Sequence, residues 1–386
     1  MTRLTVHEYA AALRRRYRAA RKGVKKKILD EFCQTTGMHR KAAIRLLNHR
    51  GRLRGVGRGR PRRYGPEVAA ALVKLWEVGD RMCGKLLAAV MSDLLAALER
   101  HGELRVPAEV RALLLQVSPS TIDRLLRKTR TAGLRQPRRQ RPATTALKAQ
   151  IPIRTWSEWK GAQPGSIQAD LVLHCGESTE GFFLTTLTAV DVASGWTELQ
   201  PVWGMGMTRV GGAVQGVSLR LPFSLRELHT DNGGEFINRG LRDWCTRHGV
   251  RFTRGRGYRK NDQAYVEQRN WLSVRRVVGY DRYSSQAAFQ ALHRLYSLLR
   301  LQVNFFRPVR KLVGKARQGA RVTKLYDAPR TPYRRLLESG ILDATARQQL
   351  ERQFLEINPA DVQRGIEQAL RHLWGRTERH ERARAG

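Results

Sequence analysis

Apolar residues recur at helical spacing through the first third of the chain and in strand-like runs through the middle. Ile28, Leu29 and Phe32 mark one short amphipathic helix, and Ala42, Ala43, Ile44, Leu46 and Leu47 mark a second, with residues 35–39 (TTGMH) as the turn between them. Gly37 suits the backbone conformation that a helix-turn-helix needs. Residues 66–79 and 84–100 read as longer helices. Ala69, Leu72, Val73 and Trp76 form one stripe and Leu86, Val90, Leu94 and Leu98 another, most simply core or helix-helix contacts. A second helix-turn-helix unit is expected over 106–128, where Ser118 brings N-cap chemistry to the helix beginning at Thr121. The pattern then changes to strands at 167–175, 182–190 and 196–202, separated by turn-like 176–181 and 191–195. A helix over 208–219, a strand over 225–229, a helix over 238–248 and a strand over 250–253 complete the middle. Beyond it, 285–306 reads as a helix ended by Arg307 and Pro308. A β-prone segment follows over 311–326, then amphipathic helices over 343–356 and 359–374 and a charged tail.

Charge changes this picture more than length does. The 386 residues suffice for two or three domains, and 72 Lys and Arg against 33 Asp and Glu give a formal net charge of +39. A surface this basic binds polyanions by releasing their counterions, so nucleic acid is the expected partner. Arg40, Lys41 and Arg45 fall on or beside the second short helix, placed to reach phosphates or base edges. Residues 51–63 are too rich in Gly and Arg to build a core. Arg58, Gly59, Arg60 and Pro61 match the heart of an AT-hook, whose arginines enter the minor groove, although a solvated linker touching phosphates explains them equally. Residues 131–150, with Arg135, Arg138, Arg139 and Arg141, read as a basic linker. Cys33, Cys83, Cys175 and Cys245 have no ligand spacing, so zinc and disulfides are not expected. No apolar run reaches membrane-spanning length and the first residues lack a signal-peptide core, so a cytoplasmic, nucleoid-associated protein is expected.

The candidate chemistry lies in three acids. Asp170 falls within the first strand-like run, Asp231 ends the run that leads into Asn232, Gly233 and Gly234, and Glu267 sits early in a helical stretch. Thirty-five residues separate Asp231 from Glu267. Three carboxylates packed together repel unless cations join them, and hard ions such as Mg²⁺ take oxygen ligands. Asp191, which opens a Ser/Gly turn, reads as the acid that orders it. Asp262 reads as an N-cap for the helix of Glu267. Glu235 is a neighbour of Asp231, not a ligand, and His229 is a strand residue and not a base.

With residues 229–236 (HTDNGGEF) around the second acid, the segment from about 150 to 280 resembles the integrase core of retroviral integrases and bacterial insertion-sequence transposases. The resemblance implies an RNase H-like order, with the first acid on strand one, the second just after strand four and the third on a helix beside them. It implies that Asp170, Asp231 and Glu267 are catalytic and hold two Mg²⁺ ions, with Mn²⁺ substituting. In similar enzymes the basic loop before the third acid seats the DNA end, so Tyr258, Arg259 and Lys260 are contact candidates. The His/Cys zinc module of retroviral integrases is missing from this sequence. The expected layout is multidomain: a helical DNA-binding region with helix-turn-helix units (1–130), the basic linker (131–150), an α/β RNase H-like core (151–284) and a mixed, mostly helical C-terminal region (285–386). The expected activity is transposition, meaning cleavage at element ends and strand transfer into target double-stranded DNA by a homo-oligomer assembled on it, without a membrane. A DNA-binding regulator with an inactive core and a nuclease of the same fold are the alternatives.

Overall fold

Short helices with a single apolar stripe are marginal in isolation, and at the start of the chain three of them close around one another. The computed structural model describes residues 2–49, 63–130, 159, 161–255, 263–319 and 321–377. The chain divides into two compact units, Met1–Arg63 and Tyr64–Gly386. In the first, α1 (Arg3–Ala19), α2 (Lys22–Thr36) and α3 (Arg40–Leu47) bury Ala10, Tyr17, Ile28, Leu29, Phe32, Ala43 and Leu47. Gly37 ends α2 in the left-handed region at φ 67° and donates its N–H to Cys33 O at 2.9 Å, a conformation that glycine adopts without steric cost. The three-residue turn then delivers α3 across the other two helices.

The second unit begins with α4 (Pro66–Val78), α5 (Gly84–Arg100), α6 (Ala108–Gln116), α7 (Pro119–Leu125) and α8 (Arg127–Arg130). Ser118 caps α7 by accepting from Thr121 N at 3.3 Å, as its position suggested. A sheet follows, built from β1 (Ser166–Leu173), β2 (Thr185–Asp191), β3 (Thr197–Val202), β4 (Glu227–Thr230) and β5 (Arg251–Arg254), with α9 (Met207–Arg220) and α10 (Arg239–Arg247) in its crossovers. The strand order is β3-β2-β1-β4-β5. The β1-β2-β3 meander is antiparallel, whereas β4 and β5 run parallel to β1. After it come α11 (Ala264–Arg269), a π-helical stretch (Asn270–Arg275), α12 (Arg276–Val278) and α13 (Gln286–Leu301), which widens into a second π stretch (Gln302–Phe306). A hairpin of β6 (Leu312–Gln318) and β7 (Arg321–Tyr326) leads to α14 (Pro332–Glu338), α15 (Ala344–Glu356) and α16 (Pro359–Trp374).

The linker expected over 131–150 lies outside the described residues, and the compact boundary lies at residue 63/64. The reason is apolar burial: Leu72, Leu75, Trp76, Leu94 and Leu98 belong to one continuous core with the sheet and with Leu295, Phe354 and Ile366 of the C-terminal helices. Ion pairs seal that joint, Arg334 with Asp93 and Arg364 with Glu103. On β3, Glu198 is buried and accepts from Trp196 Nε1 at 2.8 Å, Arg300 Nε at 2.7 Å and Arg220 Nε at 3.4 Å, tying the sheet edge to α9 and α13.

The first unit has a core of its own, so it should melt on its own. Phe32→Ala empties a fully buried ring site and is expected to cost about 3–5 kcal/mol. Scanning calorimetry should show the transition of the first unit lowered or lost and that of the second unmoved; a joint shift of both would contradict separate cores.

Candidate active site

The β1–β4 register decides where the first two acids go. Ala169 pairs with Thr230 in the parallel ladder, so the next residue on each strand, Asp170 and Asp231, leaves the ladder beside the other. Neighbouring strands lie about 4.8 Å apart. Backbone and side-chain donors fix both rotamers. Asp170 accepts from Leu171 N at 2.9 Å through Oδ1 and from Asn270 Nδ2 at 2.6 Å through Oδ2, and Asp231 Oδ1 accepts from Gly233 N at 2.9 Å. A Cβ at Gly233 would stand 2.6 Å from the Glu235 carboxylate, so only glycine lets that acid fold back over the turn.

Helix α11 carries Glu267 against β1 and β2. Its start is held by Gln168, a buried β1 residue whose Oε1 accepts from Val266 N at 3.3 Å. Arg269 is buried on the same helix and donates to Gly195 O at 3.2 Å; burial, and then Arg307, bring its pKa down to about 9. Glu267 is exposed on the helix, and Asn270, three residues on, shares its face. Burial, followed by the neighbouring Asp231, pushes the Asp170 carboxyl up to about 7; the bonds from Leu171 and Asn270 oppose this and Glu267 adds a smaller push. Glu235 is also raised, first by burial and, less, by Asp231. Asp170 therefore senses both of the other predicted acids. Among the described residues, however, no group of three or more His, Cys, Asp or Glu side chains is gathered closely enough to hold a metal ion. The donor chemistry, carboxylate oxygens crowded without neutralisation, fits a hard divalent cation, while the spacing is wider than a closed coordination sphere.

This stretch of the chain is similar to known proteins. Residues 162–260 match the family described as "Integrase core domain", a span that ends before Glu267. The chain is 43% identical over 328 residues, 85% of its length and 94% of the relative's, to "Uncharacterized protein y4rM" of Sinorhizobium fredii strain NGR234. The chain belongs to the integrase-core family. Its core is RNase H-like, and integrase cores as a class act on DNA with divalent metal ions. Among solved structures it is similar to the catalytic core domain of BIV integrase, at 22% identity over 46% of this chain and 95% of that one, with a TM-score of 0.30. It is also similar to a chain of the simian T-cell lymphotropic virus intasome in complex with PP2A regulatory subunit B56 gamma, at 14% identity over 55% of this chain and 70% of that one, with a TM-score of 0.31.

Within this integrase core the rival residues have local duties. His229 is buried and edge-on to Trp159, with ring centroids 5.2 Å apart. Its Nδ1 lies 3.0 Å from Thr253 Oγ1, which donates to Glu227 at 2.9 Å, leaving Nδ1 as the donor of that pair. Asp262 lies outside the described residues, and Gln263 at the cap position makes no side-chain cap bond. Arg40, Lys41 and Arg45 are all exposed on α3, where Arg40 pairs with Asp30 and Arg45 Nε donates to Lys41 O at 3.3 Å. Arg58, Arg60, Tyr258, Arg259 and Lys260 lie outside the described residues. Asn270 and Gln168 were not singled out from sequence, although the three-residue spacing from Glu267 to Asn270 was a usable signal. Among the described residues no helix is long and apolar enough to cross a membrane.

Asp191 orders its turn, accepting from Gly165 N at 2.9 Å and from Ser194 N and Oγ at 2.6 Å each. Burial nonetheless outweighs these bonds and raises its pKa from 3.8 to about 6. The native state then holds this proton to higher pH than the unfolded state does, so its contribution to stability falls as pH climbs from about 4 to about 6, by up to about 3 kcal/mol. Thermal melts across that window should show the decline in the parent protein and a flatter profile in Asp191→Asn; equal slopes would contradict the burial argument.

Proposed function

We propose that this protein is a transposase that cleaves DNA at the ends of a mobile element and joins the freed 3′ hydroxyls to target DNA. The observation that carries the reading is the register that sets Asp170 beside Asp231, with the helix of Glu267 packed on the same strand. Cleavage and joining are both in-line displacements at phosphorus. A pair of divalent ions, Mg²⁺ with Mn²⁺ as substitute, would supply charge stabilisation at the attacking and leaving oxygens. Asp170, Asp231 and Glu267 would hold them. Asn270 and Leu171 orient Asp170, and Gly233 N orients Asp231. The net charge of +39 and the exposed Arg40, Lys41 and Arg45 support binding of duplex DNA at element ends and target. Joining two ends requires at least two protomers on DNA.

One observation favours a DNA-binding regulator with an inactive core: the acids are not gathered into a preformed metal group. Asp231→Asn decides between them. It should lower Mg²⁺- or Mn²⁺-dependent nicking and strand transfer at least about 100-fold, since even residues behind the ligands cost 10–100-fold, while duplex binding persists. Undiminished strand transfer by that variant rejects the assignment, and a parent protein that binds but never nicks is the regulator. Nicks without joined products would identify a nuclease of the same fold.

A further inference from the structure

The hairpin β6–β7 stands apart from every other element. It is a separate two-stranded sheet, and residues 316–319 and 322–326 are exposed. Two strands alone are marginal in water, so what holds this pair is its base. Lys311 N donates to Asp327 Oδ1 at 2.7 Å, Asp327 N donates to Lys311 O at 3.0 Å, and Val309 and Arg330 exchange backbone bonds at 2.8 and 3.2 Å. Arg335 pairs with Asp327 at 2.7 Å and donates to Val309 O at 3.1 Å. Lys311 Nζ reaches back to Ala193 O in the β2–β3 turn, so the root of the hairpin is fastened to the catalytic sheet.

The chemistry of the projecting part is one-sided. Residues 311–326 contain Lys311, Lys315, Arg317, Arg321 and Lys324 and no acid. Arg317 and Lys324 are exposed, as are Val313 at 61%, Val322 at 49% and Leu325 at 50%. A two-stranded ribbon fits the major groove, which is about 12 Å wide, where cations meet phosphates and small apolar groups meet thymine methyls. A second copy of the chain is a poor occupant, because its ribbon carries the same charge. We propose that β6–β7 is a duplex-DNA-binding ribbon, rooted on the catalytic sheet and separate from the acid site. The proposal rests on the DNA-acting role argued above, but it does not require cleavage.

The plain alternative is that lysines on bare strand edges only prevent strand addition. The full-length chain with Arg317→Gln and Lys324→Gln should be compared with a matched control, Arg352→Gln and Arg371→Gln, which neutralises exposed cations on α15 and α16. Binding to a mixed-sequence DNA duplex is measured across a salt series in EDTA, so that cutting plays no part. The slope of log affinity against log salt should fall by about 0.9 per lost contact, hence by up to about 1.8 for the ribbon pair and not for the control pair. Equal slopes in the two variants overturn the proposal, as does self-association of the ribbon variant with an unchanged slope. Failure of the parent protein to bind duplex overturns it together with the transposase reading; binding without nicking overturns only the latter.

Discussion

Two carboxylates at adjacent positions of parallel strands repel, and the pairing of Ala169 with Thr230 imposes that repulsion on Asp170 and Asp231. The protein answers it in part. Leu171, Asn270 and Gly233 each donate a hydrogen bond to one of the two acids, and burial, followed by Asp231, raises the Asp170 pKa to about 7. The hydrogen bonds leave the conflict in place wherever both acids are ionised, because the ladder fixes the strands and the strands fix the acids. A cation between them would turn an unfavourable contact into a favourable one, which is why the arrangement makes sense as a site and poor sense as a scaffold.

Keeping that geometry falls to residues well away from it. The α4–α5 turn places Asp80 and Arg81 in the left-handed region at φ 55° and 53°, a conformation that costs of the order of 1–3 kcal/mol per non-glycine residue. The turn presents the Asp80 carboxylate to both Arg276 and Arg307. Arg276 continues the helix that carries Glu267, and Arg307 follows the π stretch at the end of α13. The upstream helices thus brace the helix of Glu267 as well as preceding it in sequence.

Much of this was legible in the chain and some was not. The strand-rich middle, the helices at 66–79 and 84–100 and the turn at Gly37 follow from periodicity and glycine placement, and the RNase H-like order came with the motif around Asp231. The helix-turn-helix reading located α2 and α3 to within a few residues, yet backbone geometry does not tell packing from recognition. The division at residue 63/64 was not legible, because it depends on which apolar stripes meet in space. Asn270 was hidden for a related reason. Its value lies in reaching Asp170 across 100 residues of sequence from a helix that switches to π geometry at that point, and such switches often mark functional stretches.

Acid placement argues last for the site as the purpose of the core. In a chain with 72 cationic and 33 acidic residues, acids are scarce, and structural ones are shared: Glu198 serves Arg220 and Arg300, and Asp80 serves Arg276 and Arg307. At the ends of β1 and β4 the pattern inverts. Asp170, Asp231 and Glu235 lie near one another, and Glu267 adds to the field on Asp170. Composition alone would disperse these groups among the surplus arginines, and packing gains nothing from concentrating them. A ligand that is itself positive would account for the concentration, and a chain of net charge +39 is suited to a substrate that is negative.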